Sequence, residues 1–429
     1  MGQEQAVNTS VLGLFKLSAF RRFVGVLIPA ALADWIDFIA IMVLVSYTWE
    51  MGPTEVASVI MAATVPRVIF GLPGGVLVDR IGAGPVLIGG LVIRAGLMLG
   101  MFFFATSLPV LIGFVFLKAT VSAAFMPALQ LTLKKVVPSN MLTQAVSVHH
   151  FVIQSTKIFA PVLGGALLAI WSPYHVFLLG AGSFAFASLV CLSVLGLLKN
   201  DRPEEREGSE ARDSVLKDAK VAFAFLWQTP RLLLGVSLIC LFTFSVFLYE
   251  AVLLLLIKET GQPESSAGPI LGSIGVGGLV GTYVTAKIGD RVNLSMLMAI
   301  GSFFGGALTL VAGWMPFSPE PFGLQTQMGL WFAGGAFISL ITVPFGAIVV
   351  KQTPEHLLGR ISSVGEMLQS GLMLISIPIG AFLAEQWFVS MPFFVGGAVM
   401  CGGALVGLFV ALSLGKGPDV AGTVSEEAV

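Results

Sequence analysis

Twelve apolar runs, each long enough to cross a bilayer as a helix, follow one another along this chain and leave little else to fold. About 20 apolar residues make one span. By that measure the runs lie at 20–48, 55–79, 84–106, 109–133, 142–170 and 173–198, then at 231–257, 265–287, 293–315, 323–350, 357–384 and 388–414. Inside lipid every backbone N–H and C=O must be satisfied by the chain itself, and runs of this length meet that demand as helices. The composition agrees: 56% of residues are hydrophobic and 11% charged, with a mean hydropathy of +0.93, against about 25% charged in soluble domains. The expected class is an all-α membrane protein of twelve transmembrane helices in two pseudo-symmetric six-helix bundles. The bundles take residues 1–198 and 231–415, a polar linker occupies 199–230, and 416–429 is a polar tail expected to be disordered.

The basic residues orient the spans. Of the 23 Lys and Arg, Arg67, Arg94, Lys118 and Lys157 fall inside runs and Lys258 ends the seventh. The other 18, among them Arg21, Arg22, Lys134, Lys135, Lys287, Arg291 and Lys351, fall on one side. The positive-inside rule makes that side cytoplasmic, together with both termini and the linker. No basic stretch followed by a short apolar region and a cleavage site opens the chain, so the first span is expected to serve as the targeting signal. Within the linker, 213–227 has apolar residues near helical spacing. It reads either as an amphipathic helix on the inner membrane surface or as a short helix packed on the bundle.

Two pairs of segments repeat. Lys135-Val-Val-Pro-Ser-Asn-Met-Leu142 is answered by Lys351-Gln-Thr-Pro-Glu-His-Leu-Leu358, and Arg80-Ile-Gly82 by Lys287-Ile-Gly289. Their offsets are 216 and 207 residues, at matching places in the two halves. Duplicated halves of this kind are a transporter architecture, with the substrate path near mid-membrane at their interface. Cys191, Cys240 and Cys401 stand singly in separate runs, which suits packing rather than disulfides or a metal site.

The first run carries two acids, Asp34 and Asp37, three residues apart and close to its middle. As a helix it places both on one face. An ionised acid at that depth costs about 2.5 to 3.5 kcal/mol on insertion scales, so it must face a polar interior, pair with a cation or carry a proton. One reading makes Asp34 or Asp37 a proton carrier. The other pairs the acids permanently with bases to hold the first bundle together.

Gly75-Val-Leu-Val-Asp79-Arg80-Ile-Gly82, between the second and third runs, resembles the G-x-x-x-D-R-x-G turn of the Major Facilitator Superfamily. The usual basic pair after the second glycine is replaced by Ala83-Gly84. Phe125-Met-Pro-Ala128, Val137-Pro-Ser-Asn-Met-Leu142 and Lys157-Ile-Phe-Ala-Pro161-Val-Leu-Gly-Gly165 resemble the branch that holds enterobactin exporters and macrolide efflux pumps. So do Gln352-Thr-Pro354, Leu358-Gly-Arg360 and Ile377-Pro-Ile-Gly-Ala381, and Ala30-Ala-Leu-Ala-Asp34-Trp resembles that branch's first helix. Pro161, Gly164 and Gly165 resemble the second half of a drug:proton antiporter motif, whose upstream glycines are Ser147 and Thr156 here. Helix packing accounts for the same residues.

The resemblance implies a cytoplasmic gate built on Gly75, Asp79, Arg80 and Gly82, the acid meeting the N-terminal end of the eleventh helix near Arg360. It implies a central cavity reached by Asp34, Asp37, Arg67, Lys118, Lys157 and Glu250, with Arg94 on the periphery of its bundle and Glu366 nearer the cytoplasm. The three bases serve either to bind an anionic substrate or to neutralise the two aspartates. Phe38, Phe244 and Phe247 are candidates to stack on a ligand, and His149 and His150 are expected at the surface or lining a gate.

The expected function is a proton-coupled secondary transporter of the bacterial inner membrane, exporting an amphipathic small molecule of drug, macrolide or siderophore type by alternating access. Its partners are that substrate, protons and membrane lipids, with no nucleic acid, and it works as a monomer. No cofactor, metal cluster or nucleophile constellation is expected, and the chain does not read as an enzyme. Two alternatives stand beside this: a lysophospholipid flippase on the same fold, and a membrane receptor that binds without transporting.

Overall fold

The structure is a computed structural model and describes residues 11–168, 170–198, 221–289 and 292–413. Twelve long helices run through the described residues. In the first half they are α1 (Ser18–Val43), α2 (Pro53–Ile81), α3 (Ala83–Phe104), α4 (Leu108–Val136), α5 (Leu142–Leu168) and α6 (Pro173–Leu198). In the second they are α7 (Pro230–Glu250), α8 (Ala267–Ile288), α9 (Leu294–Trp314), α10 (Leu324–Gln352), α11 (Glu355–Gln386) and α12 (Met391–Ser413). Among the described residues, eleven stretches are both long and apolar enough to cross a membrane. The protein is a multi-pass membrane protein.

Local chemistry sets the helix ends. Pro173 and Pro230 open α6 and α7, where a missing N–H costs nothing because the first turn has no intrahelical acceptor. Asn293 caps α9, its Oδ1 accepting from the N–H of Ser295 at 3.0 Å and of Met296 at 3.4 Å. Gly82 ends α2 at φ +89°, a backbone conformation that side chains with a Cβ avoid. The first helix continues past Val43 into a π-helical turn, Leu44–Thr48, within the 20–48 run read from sequence.

The seventh run differs from expectation. Its apolar run predicts one span over 231–257, but the helix stops at Glu250 and a separate short helix occupies Leu253–Glu259. The interruption falls at Ala251 and Val252, where φ and ψ reach −107° and 5°.

The described residues form two compact units. The first takes α1 to α6 apart from Met51–Ala57; the second takes Met51–Ala57 with α7 to α12. Within the first, α6 packs against α1 and α3, α1 against α5, and α3 against α4. Within the second, α12 packs against α7 and α9, α7 against α11, and α9 against α10. Each pairing of the first unit thus recurs six helices later. The helices α4 and α10 both have 29 residues and begin and end 216 positions apart.

Glycines set how close two of these helices come. Gly277, Gly281 and Gly335 let the backbones of α8 and α10 touch, since a Cβ on any of them would overlap a carbonyl of the facing helix. Part of the predicted linker helix is described. Residues 221–228 are helical and bury Ala222, Phe225 and Leu226 in one cluster with Leu232, Ile348 and Ile361, while Trp227 points outward. The segment 199–220 and the tail from 414 lie outside the described residues.

Candidate functional site

The largest side chain wholly buried among the described residues is a cation, Arg94, at the midpoint of α3. A guanidinium in that position is tolerated only with a counter-charge and with its faces covered. Both are supplied from within the first unit. Arg94 Nη1 donates to Asp34 Oδ2 of α1 at 2.9 Å. Its Cζ lies 4.0 Å from the ring centroid of Phe125 on α4 and 4.5 Å from that of Phe184 on α6. Two aromatic faces stabilise the cation by their negative quadrupoles and confine the planar group between them.

Lys118 of α4 joins the same cluster. Its Nζ lies 3.3 Å from Asp34 Oδ1 and also donates to Asp37 Oδ2. Phe184 underlies this cation too, at 5.9 Å. The i,i+3 spacing of the two aspartates on α1 presents both carboxylates to one ammonium. Lys118 and Phe125 stand seven residues apart, two turns on one face of α4, so a single helix brings both a cation and a ring to the cluster.

The four charges balance as two acids and two bases, but their environments differ. Asp37 is 1% exposed and Arg94 is fully buried, whereas the Asp34 side chain is 32% exposed and that of Lys118 11%. Among the described residues Asp37 Oδ1 has no hydrogen-bond partner, nor do Nε and Nη2 of Arg94. Arg67, the remaining cation named from the second run, is exposed on α2 and makes no ion pair among the described residues, although its charge reaches Asp34 and Arg94.

Asp34, Asp37 and Lys118, named from sequence, are therefore brought together. Arg94, placed from sequence on the periphery of its bundle, is instead the centre of the cluster. The reason is that α3 packs against both α4 and α6, so its inward face meets Phe125 and Phe184. The sequence names neither ring as a site residue, although Phe125 opens the Phe125-Met-Pro-Ala128 stretch. Phe38, which was, makes an edge contact with Trp35 at 6.1 Å. His149 is buried beside Phe23, 6.2 Å between rings, rather than at the surface. The side chains of His150, Lys157 and Pro161 lie outside the described ones.

The other named residues sit elsewhere. Gly164 and Gly165 are buried on α5, and Gly164 faces Ile39 of α1, two residues from Asp37. Asp79 and Arg80 are exposed at the end of α2, before the positive-φ turn at Gly82. A Cβ at Gly75 would meet nothing within 4 Å, whereas one at Gly74 would lie 2.9 Å from the Ala124 backbone of α4. The packing glycine of this turn is thus the neighbour of the one the motif points to. In the second unit Arg360 and Glu366 are exposed on α11, and Glu250 is the last residue of α7, beside Tyr249 stacked on Phe393 at 4.7 Å. A groove of about 520 Å³, lined by Pro29, Trp171, His175, Leu178, Leu179 and Phe186 among others, includes no member of the charged cluster.

A model of the Major Facilitator Superfamily matches residues 23–324. The "Uncharacterized MFS-type transporter YfiS" of Bacillus subtilis is 27% identical over 378 residues, covering 86% of this chain and 88% of that one. "Macrolide efflux protein A" of Enterococcus faecalis is 24% identical over 350 residues, covering 77% of this chain and all of that one. Among solved structures, the nucleoside transporter NupG superposes with a TM-score of 0.70 at 12% identity, over 93% of this chain and 100% of that chain. At that identity the likeness is one of fold.

Proposed function

The chain belongs to the Major Facilitator Superfamily, and from that premise we propose that it exports an amphipathic small molecule of drug, macrolide or siderophore type in exchange for protons. The observation that carries this reading is the pair of carboxylates, Asp34 and Asp37, held in the middle of a membrane-spanning helix against Arg94 and Lys118. Intramembrane acids are rare and mark proton or substrate paths. The likeness to Macrolide efflux protein A, over that protein's whole length, supports export of an amphipathic compound. As a transporter the chain is not an enzyme.

In this reading the two six-helix halves rock about the substrate path. Asp34 and Asp37 couple the proton. Arg67, Lys118, Lys157 and Glu250 face the substrate, and because Lys118 is engaged by the acids, Arg67 is the cation among the described ones left to meet a substrate anion. Gly75, Asp79, Arg80, Gly82 and Arg360 work the cytoplasmic gate, while Pro161, Gly164 and Gly165 shape α5 against α1. The protein acts as a monomer in the bacterial plasma membrane, among its lipids, with both termini cytoplasmic.

The test is transport by the purified chain in proteoliposomes. With a pH gradient as the sole energy source, a macrolide or ethidium is expected to accumulate against its gradient, and a protonophore to abolish the accumulation. Transport that runs equally well without a gradient overturns proton exchange.

A further inference from the structure

The two aspartates are not equivalent. Asp34 is held at both oxygens, Oδ2 by Arg94 at 2.9 Å and Oδ1 near Lys118 at 3.3 Å. Arg94 has no freedom to leave, being fully buried with its guanidinium between Phe125 and Phe184. Among the described residues Asp37 has one ion-paired cation, Lys118, on Oδ2, while Oδ1 has no hydrogen-bond partner although the residue is 1% exposed.

Lys118 alone is shared, and it is also the member built to move: a point charge on a flexible four-carbon stem. A shift of its ammonium toward Asp34 Oδ1, which it already approaches, strips Asp37 of the only cation paired with it among the described residues. A buried carboxylate left without a partner is unstable by several kcal/mol, and binding a proton removes the charge. Asp34 keeps Arg94 wherever Lys118 goes. Solvent reaches Asp34 more readily, but access does not displace its fixed counter-ion.

We infer that Asp37 is the acid that takes up and releases the proton, that Lys118 is the arm that changes partner, and that Asp34 with Arg94 is its fixed mooring. The step balances: an O–H bond forms on Asp37 with a proton from solution, the Lys118 ammonium keeps its three protons, and the cluster gains one positive charge. Among the described residues the charged groups acting on Asp37 are Asp34 from its own helix, Lys118 from α4 and Arg94 from α3, with Arg67 of α2 acting on both members of the mooring, Asp34 and Arg94; the Lys157 side chain of α5 lies outside the described ones. The helix α6 contributes the Phe184 ring. Arg94 is a positioning residue, touching neither the substrate nor the exchanged proton.

This inference rests on the proton-exchange reading, and the experiment separates the two. Infrared difference spectra of the purified full-length chain, recorded across pH without substrate, report the C=O stretch of a protonated carboxyl. A titrating band is expected in the wild type and in Asp34→Asn, lost in Asp37→Asn and recovered at a shifted position in Asp37→Glu. In Lys118→Met the band is expected to persist to higher pH. A band lost in Asp34→Asn but kept in Asp37→Asn reverses the assignment, and a wild type with no titrating band overturns it. Size-exclusion profiles show whether each variant folds, and Asp37→Glu keeps the test alive if Asp37→Asn does not. In parallel, proteoliposomes containing pyranine report whether an erythromycin gradient moves protons. If it moves none in the wild type, the exchange reading fails even where the Asp37 band titrates. If it moves them equally in the wild type and Asp37→Asn, the Asp37 assignment alone fails.

Discussion

Arg94 Nη1 and Asp34 Oδ2 meet at 2.9 Å across 60 positions of sequence, joining the midpoint of α3 to the charged face of α1. Removing one partner of a buried ion pair strands the other and costs about 3 to 5 kcal/mol, whereas replacing both by apolar groups is often neutral. Arg94→Leu is therefore expected to lower the unfolding midpoint sharply. Arg94→Leu with Asp34→Leu is expected to recover part of the loss, because Lys118 and Asp37 remain a balanced pair. Thermal unfolding in detergent checks this as a double-mutant cycle. A double variant less stable than both singles would show that the pair is not coupled in this way.

Arg67 is the contrasting cation. Exposed and without an ion pair among the described residues, it contributes little to folding, and Arg67→Gln is expected to change stability by no more than about 0.5 kcal/mol. In the proposed transport reading its charge instead favours an anionic group on a bound molecule. If the chain exports as proposed, export of an acidic siderophore is expected to fall more in this variant than export of a macrolide. Equal loss for both compounds would remove Arg67 from substrate selection.

Two adjacent glycines of α10 test the close approach to α8. A Cβ at Gly335 would overlap the Ile274 carbonyl, whereas one at Gly334 would meet nothing within 4 Å. Gly335→Leu forces the backbones apart and is expected to cost about 1 to 3 kcal/mol or more. Gly334→Ala is expected to be neutral or to stabilise by up to about 1 kcal/mol, since alanine loses less entropy in a helix. Folded yield and unfolding midpoint measure both, and a Gly335→Leu variant as stable as the wild type would refute the contact.

Much of this fold was legible because bilayer-length apolar runs leave few alternatives. The sixth run read over 173–198 is the helix Pro173–Leu198, and the 216-residue offset between Lys135 and Lys351 is the offset of α4 and α10. The break after Glu250 was not legible. No glycine or proline stands in Leu248-Tyr-Glu-Ala-Val-Leu253, so nothing local announces that a helix ends there. The site was half legible for a related reason. Asp34, Asp37 and Lys118 stand out as charges in apolar runs, but which cation meets which acid depends on helix neighbours that spacing along the chain does not encode. The signal that points to Arg94 is electrostatic: two acids at mid-depth demand counter-charges, and the third run offers one at the same depth. Phe125 and Phe184 carry no comparable signal among 33 phenylalanines.

The turn between α2 and α3 separates folding from function at two glycines of one motif. Gly82 sits at φ +89° and ψ 156°, a region nearly closed to residues with a Cβ. Gly82→Ala is therefore expected to cost about 1 to 3 kcal/mol as backbone strain. Gly75 lies inside α2 with open space where a Cβ would go, so Gly75→Ala is expected to hold or raise the unfolding midpoint. Measured together, the two variants assign the motif its parts. If Gly75→Ala transports poorly while unfolding at or above the wild-type temperature, that glycine serves an approach made during the transport cycle and not the stability of the described state. If Gly82→Ala unfolds at the wild-type temperature, the positive-φ turn is not what Gly82 is there to make.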